Sequence, residues 1–173
     1  VALATSGPGA TNLVTGIANA YLDSVPLVAI TGNVSLSLIG KDSFQEVDIV
    51  GITQPIVKHN YIVRDVKNLE QTLKEAFVVA NTGRKGPVLI DIPKSVQVSE
   101  ADYSNNVKIC VKSSEARRTC DLTTAINAIA ESKKPFIYCG GGVISSGAQE
   151  QIIELSKKLS APIGLSMMGI SAI

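Results

Sequence analysis

Short, nearly continuous apolar runs recur along the chain, and amphipathic stretches separate them. The runs lie at Val1–Thr5, Leu27–Thr31, Val88–Ile92, Phe136–Cys139 and, after Pro162, at Ile163–Leu165. Runs of this length and continuity are typical of parallel strands that are covered on both faces of a sheet. We therefore predict a β-strand at each of these positions.

The stretches between the predicted strands carry apolar residues at helical spacing. The i, i+3, i+4, i+7 pattern spans Ala10–Leu22, and a second apolar stripe runs along Leu69–Ala80. Asp121 is suited to cap the start of a third helix, and a fourth helix is expected from about Ala148 to Leu159. Each of these stretches predicts a helix with one buried face.

This alternation predicts an α/β fold of three-layer units, each built on a parallel sheet with right-handed crossovers. Residues 93–119 interrupt it with a polar, weakly periodic stretch that is too long for an ordinary loop. We interpret this stretch as a linker between two units. We expect the first unit at residues 1–95, the linker at residues 96–118 and the second unit at residues 119–173.

Composition and charge exclude several classes of protein. The chain is 45% hydrophobic and 18% charged, which excludes a disordered chain. It has 16 basic and 15 acidic residues without a basic patch, so no nucleic-acid partner is expected. No apolar run reaches the roughly 18 residues that a membrane helix needs. Because the first residue is Val1 inside an apolar run, we expect the chain to be a fragment of a longer protein.

Cysteine and histidine are too few and too scattered for a metal or thiol site. Cys110, Cys120 and Cys139 have no C-x-x-C spacing, and His59 is the single histidine, so no metal site is expected. A reduced, cytoplasmic protein is the simplest interpretation of this cysteine usage. His59 is expected to be a polar residue at a strand edge, not a catalytic base.

Three segments lie after predicted strands, where α/β proteins gather their ligands. The turn Thr5–Asn12 opens a helix, and its glycines would suit either a phosphate cradle or a plain tight turn. The glycine run Gly140–Gly142 and the polar loop Gly40–Glu46 are the other two. The residues alone leave ligand contact and ordinary loop both open, because no nucleophile elbow, Walker A lysine or complete dinucleotide fingerprint is present.

Taken in order, several segments resemble the catalytic subunit of acetohydroxyacid synthase, also called acetolactate synthase. These segments are Thr5–Gly16, Asp23–Gly32, Leu38–Glu46, Lys58–Tyr61, Gly86–Pro93, Tyr138–Val143 and Met167–Gly169. They cover nearly the whole chain and are weakest across the expected linker. Ordered segments are far more specific than any single glycine-rich loop.

The resemblance implies a transferase that uses thiamine diphosphate, Mg²⁺ and FAD to condense two 2-keto acids with loss of CO₂. Pyruvate would give 2-acetolactate, a step in branched-chain amino acid biosynthesis. The first unit would be the later part of the pyrimidine-binding domain, and the second the early part of a Rossmann-like, FAD-associated central domain. A homodimer or higher oligomer with a possible regulatory small subunit is also implied.

The resemblance also implies roles for particular residues. The wall around the cofactor's aminopyrimidine ring would come from Thr5, Gly7, Pro8, Gly9, Asn12 and Gln45, which replaces the phosphate interpretation of this turn. FAD would contact Gly140, Gly141, Gly142, Ser166, Met167 and Met168. The substrate channel would include Phe44 and Lys58.

Some family features are not found in the chain. The activating glutamate of the family is expected upstream of Thr5, and Glu46 does not match its motif, so no catalytic residue is assigned and the chain alone is expected to be inactive. Ser35-Leu36 stands where many members have Pro-Arg. Two alternatives remain: a thiamine-diphosphate enzyme of the glyoxylate carboligase or pyruvate oxidase type, and a non-catalytic flavin-binding α/β module.

Overall fold

The computed structural model describes residues 1–102 and 121–173, which belong to two separate compact units. The strands of the first unit are β1 (Ala2–Ala4), β2 (Leu27–Asn33), β3 (His59–Ile62) and β4 (Pro87–Pro93). They form one parallel sheet in the order β1-β2-β4-β3. The prediction of a parallel α/β fold is confirmed.

Helices cover both faces of this sheet. They are α1 (Pro8–Asn12), α2 (Val14–Leu22), α3 (Ile49–Thr53), α4 (Leu69–Asn81) and α5 (Lys94–Gln97), with 3₁₀ turns at Gln54–Ile56 and Val66–Asn68. One apolar cluster packs α4 and α5 against one face, and a second packs α1, α2 and α3 against the other. The unit is therefore a three-layer α/β/α sandwich.

The two central strands explain the continuous apolar runs. Val88 and Ile90 of β4 belong to the cluster beneath α4, whereas Leu89 between them belongs to the cluster beneath α2 and α3. Because neighbouring side chains of a strand point to opposite faces, a strand covered on both sides is apolar at consecutive positions. The prediction is wrong for the edge strand β1, where Leu3 remains 78% exposed.

The second unit has a smaller sheet. Its parallel strands are β5 (Ile137–Cys139) and β6 (Ile163–Leu165), and its helices are α6 (Thr123–Glu131), α7 (Gly141–Ser146) and α8 (Gln149–Leu159), followed by a 3₁₀ turn at Met167–Gly169. The N-cap of α6 is Leu122, one residue later than predicted, although Asp121 accepts a hydrogen bond from the Thr123 N–H at 2.9 Å. The predicted buried face of this helix is wrong for the described structure, because Leu122 at the N-cap and Ile126 in α6 are exposed.

The elements differ from the predicted ones in two places. The helix expected from Ala10 begins two residues earlier, at Pro8, and Leu13 divides it into α1 and α2. The strand β3 was not predicted, because two of its four residues, His59 and Asn60, are polar. His59 is exposed on this outer strand, which agrees with its expected position at a strand edge.

The first unit extends beyond residue 95, because the helix α5 carries Val96 into the core beneath α4. Most of the expected linker, together with Cys110 and Cys120, lies outside the described residues. Cys139 is buried and forms no disulfide with any described residue. In residues 1–102 and 121–173, no helix combines the length and the apolar character needed to cross a membrane.

Candidate functional site

The turn between β1 and α1 depends on Gly7. Its φ is +59° and its ψ −119°, a combination that side chains with a Cβ strongly disfavour. A Cβ placed on Gly7 would lie 2.7 Å from the carbonyl oxygen of Gln45 and 3.0 Å from its Cα. The absence of a side chain therefore lets two predicted segments, the turn and the loop at Gln45, pack backbone to backbone.

The loop that carries Gln45 is held closed by Glu46. One carboxylate oxygen of Glu46 accepts a hydrogen bond from the Gly40 N–H, and the other accepts one from the Ser43 N–H at 2.8 Å. Both hydrogen bonds lower the pKa of Glu46, and the one from Ser43 has the larger effect. Glu46 thus keeps the loop folded as a carboxylate. Phe44 lies next to it and is 89% exposed.

A cleft of about 580 Å³ opens where β1, β2 and β4 end. Its lining combines apolar and polar side chains: Leu3, Ala4, Thr5, Ser6, Ile30, Thr31, Gly32, Asn33, Ile92, Lys94 and Gln97. This is the carboxyl edge of a parallel sheet, the usual ligand position in α/β folds. The cleft therefore stands next to the Gly7 turn, and the contact of a ligand with this turn stays a prediction.

A buried carboxylate organises the polar wall of the cleft. Asp91 is only 1% exposed, and it accepts hydrogen bonds from Thr31 Oγ1 at 2.8 Å and from Asn33 Nδ2 at 2.5 Å. The Oδ1 of Asn33 accepts the Val34 N–H at 2.8 Å, so the orientation of its amide is fixed. Burial raises the pKa of Asp91, the two hydrogen bonds oppose the rise, and the Asp48 carboxylate adds to it.

We expect Asp91→Asn to stabilise the protein at neutral pH and to remove a pH dependence. Because the pKa of Asp91 is raised on folding, the native state holds its proton longer, and the free energy of unfolding falls as pH rises through this range. Asparagine keeps both contacts, with its Oδ1 accepting from Asn33 and its amide donating to Thr31. Urea unfolding at about pH 4 and pH 7 measures the effect. Asp42→Asn, at an exposed position, is the control. If the increase in the free energy of unfolding caused by Asp91→Asn were not larger at the higher pH, this account would be contradicted.

Thr5, Pro8, Gly9 and Asn12 are the other residues of the Gly7 turn for which a cofactor contact is predicted. Thr5 lines the cleft, and a Cβ on Gly9 would lie 2.6 Å from Thr5 Cγ2. Pro8 and Asn12 are exposed at the first and last positions of α1. The structure thus brings the turn and Gln45 together, whereas their contact with a cofactor stays a prediction.

Lys58 lies on a different edge of the sheet from Phe44, and its expected place in the substrate channel stays a prediction. Its backbone N–H donates to the Pro87 carbonyl at 2.8 Å, which places it at the amino end of β4, on the edge of the sheet opposite Phe44. Its ammonium donates to the carbonyl oxygens of Val79 and, at 2.6 Å, of Thr82, where α4 ends. The geometry therefore does not place Lys58 in one channel with Phe44.

We expect Lys58→Met to lower the free energy of unfolding by about 1–3 kcal/mol, because it leaves the two carbonyls at the end of α4 without their charged donor. Methionine keeps the unbranched stem that lies across Gly86. The exposed Lys67→Met serves as the matched control. Thermal unfolding of the three proteins measures the difference, and equal melting temperatures would show that the ammonium contributes nothing.

Sequence reasoning missed Lys94 and Gln97, which both line the cleft. They lie on α5, immediately after β4, and the Gln97 amide donates to the Ile92 carbonyl at 2.6 Å. The signal that would have found them is their position after the carboxyl end of a central strand. Leu36, at the departure from the family's Pro-Arg, packs on the α4 side of the sheet, and its N–H donates to Ser95 Oγ.

In the second unit, the two segments expected to contact FAD lie side by side. The Ser166 N–H donates to the Cys139 carbonyl at 2.9 Å, and a Cβ on Gly141 would lie 3.2 Å from Met168 Cβ. Gly142 faces open space, and Met167 is exposed. We name this surface, formed by Gly140–Gly142 and Ser166–Gly169, the glycine ledge.

Neither unit offers an obvious metal site in its described part. No group of three or more His, Cys, Asp or Glu side chains in residues 1–102 and 121–173 is arranged to hold a metal ion. The glycine ledge and the cleft therefore present backbone, apolar and amide groups to a ligand instead of a cluster of carboxylates.

Comparison with known proteins identifies both units. Residues 1–52 match the thiamine pyrophosphate enzyme, N-terminal TPP binding domain, and residues 122–173 match the thiamine pyrophosphate enzyme, central domain. The chain is 49% identical over 174 residues to the acetolactate synthase of Arthrospira platensis, covering 98% of this chain and 30% of the relative.

Two further relatives carry similar names. The acetolactate synthase large subunit of Corynebacterium glutamicum is 48% identical over 176 residues, covering 98% of this chain and 28% of the relative. The acetolactate synthase isozyme 3 large subunit of Escherichia coli is 42% identical over 181 residues, covering 99% and 31%. This chain thus spans about 30% of the length of these relatives. It belongs to the thiamine pyrophosphate enzyme family and is related to the acetolactate synthase large subunits.

Proposed function

We propose that this chain forms part of an acetolactate synthase that uses thiamine diphosphate to join two 2-keto acids, with pyruvate giving 2-acetolactate and CO₂. The observation that carries the proposal is the contact between the Gly7 turn and the Gln45 loop beside the cleft. Both segments resemble the family's cofactor-side motifs, and their position at the edge where α/β proteins bind ligands supports the proposal.

The first unit suits the pyrimidine half of thiamine diphosphate. A flat heteroaromatic ring needs an apolar wall and a few fixed hydrogen-bonding groups. Leu3, Ile30 and Ile92 provide apolar walls, while Asn33 and Gln97 are fixed by their own hydrogen bonds. When bound, thiamine diphosphate supplies the electron sink for decarboxylation and carbon–carbon bond formation.

The chain's own residues would then bind and shield the reactants. Lys94 places a positive charge at the cleft, which favours the carboxylate of a 2-keto acid. The exposed Phe44 beside Gln45 offers an apolar surface that excludes water when the site closes. The loop holds both residues in place because Glu46 fixes it from inside.

The described residues suit FAD but do not suit Mg²⁺. The glycine ledge lets a flat or anionic ligand approach the backbone at Gly142, so we propose that Gly140–Gly142 and Ser166–Met168 hold part of FAD in a Rossmann-like central domain. The described residues do not fit Mg²⁺, because no group of three or more candidate ligands occurs among them. No step is assigned to Mg²⁺ here.

The relatives' names also suggest an assembly. Two of them are called large subunits, which supports a catalytic subunit that pairs with a regulatory small subunit. We further propose a homodimer or higher oligomer acting in branched-chain amino acid biosynthesis in the cytoplasm, with 2-keto acids as the small-molecule partners.

A chimera tests the proposal. Residues 1–173 replace the corresponding segment of the Escherichia coli isozyme 3 large subunit, and the product formed from pyruvate is analysed with thiamine diphosphate, Mg²⁺, FAD, inorganic phosphate and O₂ present. We expect 2-acetolactate. A folded, flavin-containing chimera that makes acetyl phosphate or no product would contradict the assignment, and tartronate semialdehyde from glyoxylate would favour a carboligase of the glyoxylate type.

A further inference from the structure

A basic pocket lies on the edge of the first sheet opposite the cleft. Its volume is about 290 Å³, near the lower end for sites that bind small molecules. Tyr21, Val57, Lys58, Arg84 and Lys85 line it, so three of its five residues are cationic and none is acidic. The pocket lies where β3 and β4 begin, because the Lys58 N–H donates to the Pro87 carbonyl at 2.8 Å.

Two of the cations are held in place by helix ends. The Lys58 ammonium donates to the Thr82 carbonyl at 2.6 Å and to the Val79 carbonyl at the end of α4. Arg84 Nε donates to Ser24 Oγ at 2.8 Å, and its Nη2 donates to the Tyr21 and Leu22 carbonyls at the end of α2, at 3.3 and 3.2 Å.

These contacts position the charges without neutralising them. Each helix C-terminus carries roughly half a negative charge, so two helix ends offset about one of the three positive charges. No described carboxylate forms an ion pair with Lys58, Arg84 or Lys85. Asp23, next to Ser24, is the acidic residue adjacent to these contacts in the chain, and it does not line the pocket. The pocket therefore keeps a net positive charge.

The pocket is also preorganised for a ligand. Gly86 lies against the stem of Lys58, and a Cβ at Gly86 would lie 3.1 Å from Lys58 Cγ and Cδ. The Arg84 guanidinium rests over the Tyr21 ring, with its Cζ 5.8 Å from the ring centroid. Burial lowers the pKa of Lys58, which is the effect of a charge that water solvates incompletely. An anion would meet these groups without the entropy cost of ordering them.

We propose that this pocket binds a small phosphate-bearing anion. Nε and Nη2 of Arg84 already donate hydrogen bonds to protein oxygens. This pair of nitrogens is therefore not free to bind a carboxylate with two parallel hydrogen bonds. Arg84 Nη1, one Lys58 N–H and the Lys85 ammonium have no hydrogen bond of this kind to a described residue, and they come from three residues that line one pocket. This arrangement favours an anion of higher charge with oxygens in several directions over a planar monoanion. The site is independent of the function proposed for the cleft.

An NMR titration of the 173-residue chain with inorganic phosphate, at constant ionic strength, tests the proposal. We expect saturable shifts of amides near Tyr21, Lys58 and Lys85, and weaker saturation with acetate. Lys85→Ala should weaken phosphate binding roughly threefold to fivefold, the contribution expected of one partly exposed cation. Lys67→Ala, on the same unit but outside the pocket, should leave the affinity unchanged.

Three results would overturn the proposal. The first is the absence of saturable shifts around the pocket in a chain whose spectrum is well dispersed. The second is an affinity that Lys85→Ala and Lys67→Ala change equally, which would indicate general charge attraction. The third is equal affinity for acetate and phosphate, which would remove the assignment to a phosphate group.

Discussion

Replacing Gly7 by alanine is expected to lower the melting temperature of the first unit by roughly 10 °C. Two effects add. A residue with a Cβ at this φ and ψ costs about 1–3 kcal/mol, and the new Cβ would lie 2.7 Å from the Gln45 carbonyl oxygen. Since the obstructing atoms belong to backbone, the overlap is relieved only if the Gln45 loop moves away from the turn.

Gly16→Ala is the matched control for this change. Gly16 lies within α2, and a Cβ there would meet nothing within 4 Å. Alanine in a helix interior is favoured over glycine by about 0.5–1 kcal/mol, so this variant should be slightly more stable than the parent. The melting temperatures of both variants are measured by thermal unfolding. An unchanged melting temperature for Gly7→Ala would contradict the close contact between the turn and the Gln45 loop.

Gly169→Ala is expected to disrupt the glycine ledge. The new Cβ would lie 2.4 Å from the Cys139 carbonyl oxygen and 3.1 Å from the Gly140 carbonyl carbon. Neither atom can move without disturbing the end of β5, whose Cys139 carbonyl also accepts the Ser166 N–H. The 3₁₀ turn must therefore shift away from Gly140–Gly142, and the amide of Ser166 should lose its protection against hydrogen exchange.

The functional consequence is measured as the affinity for FAD in the chimera. We expect Gly169→Ala to weaken FAD binding by roughly tenfold or more, equivalent to about 1.4 kcal/mol. Gly16→Ala, in α2 of the first unit and outside the glycine ledge, is the control, because a Cβ there meets nothing within 4 Å. If Gly169→Ala left both the exchange of Ser166 and the affinity for FAD unchanged, the ledge would have no part in flavin binding.

Much of the fold could be predicted because its central strands are covered on both faces. The cores of β2 and β4 are apolar at consecutive positions, and α4 shows a clear helical stripe. Short elements gave no such signal: β3 has four residues and α5 has four, and their burial is decided by neighbours distant in sequence. Local propensity is weak evidence where tertiary packing decides the outcome.

The site was predictable in part for a different reason. The motifs indicated the Thr5–Asn12 turn and Gln45 separately, but their contact depends on positive φ angles at Gly7 and Gln45, which the sequence does not display. The position of Lys58 was not predictable, because a motif does not reveal the edge of the sheet on which a residue lies. Once β3 is seen to begin at His59, the preceding Lys58 must lie at the amino edge, whereas Lys94 after β4 lies at the carboxyl edge.

The concentration of thiamine diphosphate that half-activates the chimera tests the central claim most directly, because the claim is that the Gly7 turn and the Gln45 loop together form the cofactor's pyrimidine wall. We expect this concentration to rise at least roughly tenfold in Gly7→Ala, a loss of about 1.4 kcal/mol, and to stay unchanged in Gly16→Ala. Equal half-activation in the parent chimera and in a folded Gly7→Ala chimera would contradict the account.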